Sequence, residues 1–417
     1  MNHIINRRKF IGNVSALGLA STLPWMSSFS MANNLKSPSN IINVGVIGVG
    51  DRGRALLLHL QQIEGVEIAA VCDNYEPNYQ RAMKLTNNKA KAYYDYRKLL
   101  ENKDLDAVVI ATPLHEHAHI TIDCLNTGLH VFCEKAMAMT VEDCMAMVEA
   151  SKSTGKILQI GHQRMFDPMY HKAMEMLDAK QLGDITQIRA FWHRNNDWRR
   201  TVPSPELERK INWRLYREYS LGLMTELASH HIQVANWVYG AAPIAVSGFG
   251  SINYWKDGRE VYDCINLVYK YPNGRHLVYD SINSNKHYGL EVQVMGPKGT
   301  MEMETGNFYL ENPPPAPGIL QLLNDIEKNM FEIIPIGGAS WIPETANGKG
   351  GEKYYEKEKG ASDGTDHQLH AFAHFIRENK IDNKYLIEGY NASMATVMGE
   401  IAMRENRIVE IPEAYRM

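Results

Sequence analysis

Cysteine is scarce in this chain and is not arranged for a metal site or a disulfide framework. The sequence has five cysteines among 417 residues, an odd number, and no two are spaced as Cys-x-x-Cys. Most of them lie in apolar stretches, which favours buried free thiols over zinc ligands or cross-links. We therefore predict no metal site.

Runs of one charge sign and long apolar segments are also missing. The net charge is -4, and no lysine or arginine run dominates the body of the chain, which argues against a nucleic-acid partner or an anionic membrane. No apolar stretch is long enough to predict a stable membrane span. We find no internal repeat. The length and the 44% hydrophobic content predict a globular protein of about two domains.

The N-terminus differs from the rest of the chain. A basic segment, Asn6-Arg7-Arg8-Lys9, precedes a weakly apolar stretch without acidic residues and then Ser30-Met31-Ala32. This order predicts a signal peptide over residues 1–32, followed by a linker over 33–40. The paired arginines resemble the twin-arginine export signal, so we expect export of the folded protein by the twin-arginine machinery and a periplasmic location. The alternative is a basic amphipathic N-terminus that stays in the cytoplasm.

A glycine turn follows the first predicted strand of the body. An apolar run from residue 41 leads into Gly48-x-Gly50-x-x-Gly53, a helix pattern follows, and a second apolar run ends at Asp73. In such a βαβ unit the glycines allow a tight turn, close approach of a pyrophosphate and helix–strand packing. An acid at the end of the second strand favours NAD over NADP, because a carboxylate repels a 2′-phosphate. The alternative is a merely structural turn.

The order of predicted elements indicates an α/β protein with two parts. Strands and helices alternate over 41–160, which predicts a Rossmann domain with a doubly wound parallel sheet. Residues 161–370 are predicted to form an α+β substrate-binding domain with an open, largely antiparallel sheet. Its longer predicted strands cover 185–192, 245–254, 261–271, 274–282 and 290–295, and a helix covers 221–239. We expect a long Pro/Gly-rich loop at 309–364 and C-terminal helices over 371–417 that pack back.

Four motifs occur in a characteristic order. They are Ala111-Thr112-Pro113-x-x-x-His117, then Gly128-x-His130-Val-Phe-Cys133-Glu134-Lys135, then Gly222-Leu-Met-Thr-Glu226-Leu-Ala-Ser-His230-His231, and finally Met295-Gly296-Pro-Lys-Gly299-Thr300. Over residues 41–300 the chain thereby resembles the Gfo/Idh/MocA oxidoreductase family. The resemblance implies an active site between a Rossmann domain and an antiparallel-sheet domain, and hydride transfer between a carbon-bound hydroxyl of a sugar or polyol and nicotinamide. It also implies a homodimer or homotetramer.

The resemblance assigns the catalytic roles. Lys135 matches the lysine that contacts both the substrate hydroxyl and the nicotinamide ribose, and His230 matches the catalytic histidine. Glu226 lies four residues before His230, which predicts that its carboxylate orients the imidazole or raises its pKa. The chain departs from the family at Ala136, where a proline is usual, and at Glu226, where an aspartate is common.

Further residues are predicted to bind the cofactor or the substrate. For the cofactor the candidates are Gly48, Val49, Gly50, Asp51, Arg52, Asp73, Asn74, Thr112, Pro113, His115, His117, Glu134, Lys135 and Gln163. For the substrate they are His162, Arg164, Trp213, Arg214, His230 and His231. Rings combined with hydrogen-bonding groups suit the apolar faces and hydroxyl rims of sugars, although a plain sheet-and-loop surface is an equal alternative for any single residue.

Two functions agree with these residues. The first is an NAD-dependent dehydrogenase that oxidises a secondary hydroxyl of a sugar, glycoside or polyol, with Lys135 and His230 in acid–base roles and NAD tightly bound. The second is an NAD-dependent glycosidase like glycoside hydrolase family 109, which oxidises C3 transiently, eliminates the aglycone, adds water and returns the hydride. A catalytically inactive sugar-binding protein is a third class, which Lys135 and His230 together argue against.

Overall fold

A computed structural model describes residues 41–311, 325–326, 351–358 and 360–417. The predicted signal peptide and linker, and most of the predicted loop at 309–364, lie outside the described residues. From Ile42 onward the described chain forms one compact unit. No helix within the described ranges combines the length and apolarity needed to cross a bilayer.

Six parallel strands form the first sheet, in the order β3-β2-β1-β4-β5-β6. The strands are β1 (Ile42–Ile47), β2 (Val66–Cys72), β3 (Lys91–Tyr93), β4 (Ala107–Ile110), β5 (His130–Cys133) and β6 (Leu158–Ile160). This is the Rossmann order, with its topological switch between β1 and β4. The central strands β4 and β5 are almost entirely buried, as expected for a parallel sheet covered on both faces. The predicted doubly wound fold is confirmed.

Helices connect these strands. They are α1 (Asp51–Leu60), α2 (Glu76–Leu85), α3 (Tyr96–Leu99), α4 (His117–Asn126) and α5 (Val141–Thr154). Thr140 caps the N-terminus of α5, because its hydroxyl accepts from the Asp143 N–H at 3.1 Å. Gly155 ends α5 with a φ of 64°, a left-handed conformation that glycine adopts without strain.

A nine-stranded sheet follows, in the order β14-β13-β12-β11-β7-β10-β9-β8-β15. Its strands are β7 (Gln187–His193), β8 (Ala245–Ser251), β9 (Cys264–Lys270), β10 (His276–Ile282), β11 (Leu290–Gly296), β12 (Gly299–Glu302), β13 (Asn307–Leu310), β14 (Glu352–Lys353) and β15 (Val409–Glu410). The sheet is mostly antiparallel, as predicted, but β7 and β10 pair in parallel. β14 lies inside the segment predicted to be loop.

The remaining helices follow β6 in the chain. They are α6 (Pro168–Asp178), α7 (Glu208–Ile211), a π-helical segment (Met224–Ala228), α8 (Ser229–Tyr239), α9 (Thr365–Arg377) and α10 (Asn383–Glu405). Single 3₁₀ turns cover Leu114–Glu116, Gln163–Phe166, Pro205–Leu207, Trp213–Leu215, Pro272–Gly274 and Glu413–Tyr415. The turn at Pro272-Asn273-Gly274 joins β9 to β10 in an antiparallel hairpin.

The long helix α10 connects the two sheets and fixes the loop that carries Lys135. It packs against α5, β6, α8 and β8. On one side the Ser393 hydroxyl accepts from the Met137 N–H at 2.8 Å. On the other side Gly399 lets the helix approach Tyr269 closely, because a Cβ there would overlap the phenol oxygen. The C-terminal helix thus holds the Lys135 loop in place.

Candidate active site

A cavity of about 1360 Å³ opens at the carboxyl ends of β1, β2, β4 and β5. Ligands of open α/β sheets bind at this edge, next to the topological switch. One end of the cavity is lined by Gly48, Gly50 and Asp73, and the other by Lys135 and His230. The cavity therefore joins the predicted nucleotide-binding turn to the predicted catalytic residues.

Each glycine of the turn has a separate steric reason. Gly48 has a φ of 80°, and a Cβ there would lie 2.6 Å from the Thr112 amide nitrogen. A Cβ on Gly53 would overlap the Gly48 carbonyl, so Gly53 lets α1 pack closely against the turn. A Cβ on Gly50 would meet only the Asn78 amide at 4.0 Å. The protein leaves open space there, at the start of a helix, where a pyrophosphate fits.

The Asp73 carboxylate lies at the end of β2 and lines the cavity. It accepts hydrogen bonds from the Tyr75 N–H at 2.8 Å, the Val49 N–H at 3.0 Å and the Asn78 amide at 3.1 Å. Burial raises the pKa of Asp73, against the lowering effect of these three bonds. A positioned carboxylate with remaining lone pairs can accept from a ribose hydroxyl, so the residues present fit NAD.

Most of the other predicted cofactor residues line the same cavity. They are Asp51, Arg52, Asn74, Thr112, Pro113, His115, His117, Glu134, Lys135 and Gln163. Glu134 accepts from Arg52 Nε at 2.8 Å, which ties the end of β5 to the start of α1. Val49 is fully buried, does not line the cavity, and contributes only its amide to Asp73. Its predicted cofactor contact stays a prediction.

His117 clamps two segments of backbone. Its Nδ1 lies 2.9 Å from the Ala136 carbonyl and its Nε2 lies 3.1 Å from the Thr112 carbonyl. Burial lowers the pKa of His117, and a neutral imidazole has one N–H to donate to one of these two acceptors. His117 holds the Thr112 loop near the segment that follows Lys135, across a cis Lys135–Ala136 peptide.

Lys135 reaches across to the π-helical segment. Its ammonium donates to the Glu226 carbonyl at 2.9 Å and to the Thr225 carbonyl at 3.1 Å. An ammonium has three donors, so one N–H remains for a ligand in the cavity. Burial lowers the pKa of Lys135, and the carboxylates of Glu226 and Glu134 oppose that shift.

Glu226 does not orient His230, so that prediction is wrong. Its carboxylate accepts from Arg214 Nε at 2.8 Å instead. Burial alone would raise the pKa of Glu226. The positive charges of Arg214 and Lys135 outweigh this effect and lower that pKa overall. The reason is the competing cation: Arg214 lies within hydrogen-bond distance of the carboxylate and holds it.

His230 lies in the first turn of α8, and its ring lines the cavity. Its Nδ1 is buried and has no hydrogen-bond partner within the described ranges. Burial, together with the positive charges of Lys135 and Arg164, holds the pKa of His230 well below its usual range. This direction is opposite to the predicted upward shift and leaves the imidazole uncharged at neutral pH.

Three predicted substrate residues lie behind His230 and do not line the cavity. Arg164 is buried and donates to Glu304 at 2.6 Å and to the Tyr170 hydroxyl at 3.1 Å. His231 is fully buried and stacks on Trp192 with ring centroids 5.3 Å apart. His162 packs edge-on against His230, with centroids 6.2 Å apart. All three side chains are buried, and their predicted substrate contacts stay predictions.

Trp213 and Arg214 do line the cavity, as predicted substrate residues should. The Arg214 guanidinium lies over the Trp213 ring at 4.3 Å from its centroid while it binds Glu226. Sequence reasoning missed other lining residues, among them Arg200, Arg209, Lys210 and Tyr219. The adjacent basic pairs Arg199-Arg200 and Arg209-Lys210 were the available signal.

No group of three His, Cys, Asp or Glu side chains in the described part of the chain could hold a metal ion.

Comparisons with known proteins agree with this geometry. Residues 42–162 match the family model "Oxidoreductase family, NAD-binding Rossmann fold", and residues 170–302 match the model "GFO/IDH/MocA C-terminal domain". The chain is thus an NAD-dependent oxidoreductase with a Rossmann domain. It belongs to the Gfo/Idh/MocA family, as the sequence motifs predicted.

Two kinds of named relative are among the matches. Inositol 2-dehydrogenase of Salmonella typhimurium is 28% identical over 272 residues, which cover 63% of this chain and 74% of that protein. Alpha-N-acetylgalactosaminidase of Shewanella oneidensis is 28% identical over 263 residues, which cover 54% of this chain and 55% of that protein. Among solved structures, aldose-aldose oxidoreductase from Caulobacter crescentus shares the fold with a TM-score of 0.66 and 21% identity, over 89% of this chain and 100% of that chain.

Proposed function

We propose that this protein is a dehydrogenase that oxidises a secondary hydroxyl of a polyol, sugar or glycoside with a tightly bound NAD. One observation carries the proposal: a neutral His230 and the Lys135 ammonium line one end of a cavity whose other end is the glycine turn. The inositol dehydrogenase relative supports a polyhydroxylated substrate.

The two residues divide the chemistry. The neutral His230 imidazole takes the proton of the substrate hydroxyl as the base. The third N–H of Lys135 stabilises the negative charge that develops on the substrate oxygen, while its other two donors hold the ammonium in place. When bound, NAD accepts the hydride from the carbon that carries this hydroxyl. Trp213 and Arg214 line the wall where the rest of the substrate fits.

A product assay tests this proposal. The purified protein is incubated with a panel of cyclitols, aldoses and methyl glycosides, and the products are analysed by mass spectrometry. A keto product with matching NADH formation supports the dehydrogenase. Absence of any oxidised product from the panel, with NAD bound, would contradict it.

The glycosidase is the second candidate, and the Shewanella alpha-N-acetylgalactosaminidase relative favours it. Both reactions would begin with the same proton and hydride transfers from a ring hydroxyl. They differ in whether the hydride returns after the aglycone leaves. Release of aglycone from a chromogenic aryl glycoside, without added NAD and without net NADH, would select the glycosidase.

Export and assembly complete the proposal. We infer that Arg7 and Arg8 direct twin-arginine export to the periplasm, after NAD has been loaded in the cytoplasm. A fusion of residues 1–40 to a reporter should lose export when both arginines become lysine, and unchanged export would contradict the inference.

We also infer a homodimer or homotetramer formed through the outer face of the nine-stranded sheet, where Phe249 and Val268 are exposed. A molar mass from light scattering that corresponds to the monomer alone would refute this assembly.

A further inference from the structure

A strap crosses the nucleotide end of the cavity. We use this name for residues 195–215, which connect β7 to the segment before the π-helix. The strap belongs to the part of the chain that forms the second sheet. It nevertheless lines the cavity with Arg200, Thr201, Pro203, Arg209, Lys210 and Trp213.

Two cations of the strap bind the nucleotide-binding half of the protein. Arg200 forms an ion pair with Asp51, with Nη2 and Oδ2 2.9 Å apart. Lys210 donates to the carbonyl of Asn74 at 2.6 Å. Asp51 directly follows Gly50, and Asn74 directly follows Asp73. Each contact is therefore made to a residue adjacent in sequence to Gly50 or Asp73, which face the dinucleotide site.

The strap has an internal frame that holds these cations in place. The buried Asn212 side chain accepts from the Arg200 N–H at 2.7 Å and donates to the Arg200 carbonyl at 3.0 Å. Arg199 donates to the Asp257 carbonyl at 2.8 Å, which fixes the strap to the loop between β8 and β9. The frame is independent of the contacts to Asp51 and Asn74, so the strap can keep its shape when those contacts open.

We propose that the strap is a clasp that retains the dinucleotide, with Arg200 and Lys210 as its closing residues. This rests on the proposed function in one respect, namely that NAD stays bound between turnovers. A ligand that lies between the glycine turn and the strap cannot leave until both contacts break. Exposed ion pairs are individually weak, so loss of one contact should speed release by roughly fivefold and loss of both by roughly tenfold or more.

The experiment measures dinucleotide release without substrate. The full chain is loaded with NADH and mixed with excess NAD, and the loss of bound NADH fluorescence is followed by stopped flow. Arg200→Ala and Lys210→Met should each release NADH faster, and the double variant faster still. Arg209→Ala is the matched control, since Arg209 lies in the same strap but pairs with Glu218 and Glu260 of its own half.

Three results would overturn the proposal. The first is wild-type release from the double variant. The second is an equal acceleration by Arg209→Ala, which would assign the effect to net positive charge. The third is that Arg200→Ala accelerates release as much in an Asp51→Ala background as in the wild type, because a clasp needs both partners. Thermal unfolding of each variant checks that it is folded, and Arg200→Lys should restore slow release. Release needs no turnover, so a failed clasp is distinguishable from a failed dehydrogenase assignment.

Discussion

The buried His162, next to the proposed catalytic His230, gives a quantitative prediction. His162 is 2% exposed, and neither ring nitrogen has a hydrogen-bond partner in the described part of the chain. Burial, followed by the charges of Lys135 and Arg164, lowers the pKa of His162 to about 3. In the unfolded chain the same side chain titrates near its ordinary value of 6.5.

The sign of the pH effect follows from this difference. The pKa of His162 is lower in the folded state than in the unfolded state. Between pH 6.5 and about 3 only the unfolded state therefore binds the proton. The stability is fully present above pH 6.5 and is lost as the pH falls towards 3. Between about pH 8 and about pH 5 the loss from this one residue is roughly 2 kcal/mol. Replacing His162 by leucine removes the titrating group and leaves no unpaired nitrogen.

Urea unfolding of the wild type and of His162→Leu at both pH values measures the effect. The gap in unfolding free energy between the two proteins should shift by roughly 2 kcal/mol in favour of the variant at the lower pH. His276→Leu is the control, since that side chain is exposed on β10 and is solvated in both states. Parallel pH dependence of the wild type and His162→Leu would refute the reasoning.

Three further substitutions separate binding from stability. Gly50→Ala should leave the melting temperature unchanged and weaken NAD binding by roughly tenfold or more, because its Cβ enters only ligand space; unchanged affinity in a titration would contradict this. Asp73→Ser should reduce the preference for NAD over NADP, measured as the ratio of the two dissociation constants; an unchanged ratio would count against the role of Asp73. Gly399→Ala should destabilise the fold by about 1–3 kcal/mol in urea unfolding, because its Cβ would overlap Tyr269; wild-type stability would contradict the packing argument.

The sequence predicted those parts of the fold that depend on local patterns. The glycine turn, the buried strands and the acid after β2 lie close together in the chain, so spacing alone placed them. The pairing of β7 with β10 could not be read this way, since these strands are about eighty residues apart and their order in the sheet depends on global packing.

The site shows the same division. Lys135 and His230 were found from motifs, and both line the cavity. The partner of Glu226 was not, because helical spacing considers only residues of the same helix, and the carboxylate binds Arg214, which lies twelve residues earlier and outside that helix. Arg164 was assigned to the substrate because its segment resembles one near the interdomain cleft, whereas its guanidinium binds Glu304, about 140 residues away. Side-chain direction at such distances follows from tertiary structure.

The most direct test of the central claim combines bound cofactor with Lys135. Wild-type protein and Lys135→Met are purified without added NAD. The dinucleotide released on denaturation is identified by mass spectrometry. NADH formation on addition of a polyol or sugar substrate is followed by absorbance. We predict NAD in both proteins and substrate-dependent NADH in the wild type alone. Equal NADH formation by Lys135→Met would contradict the account.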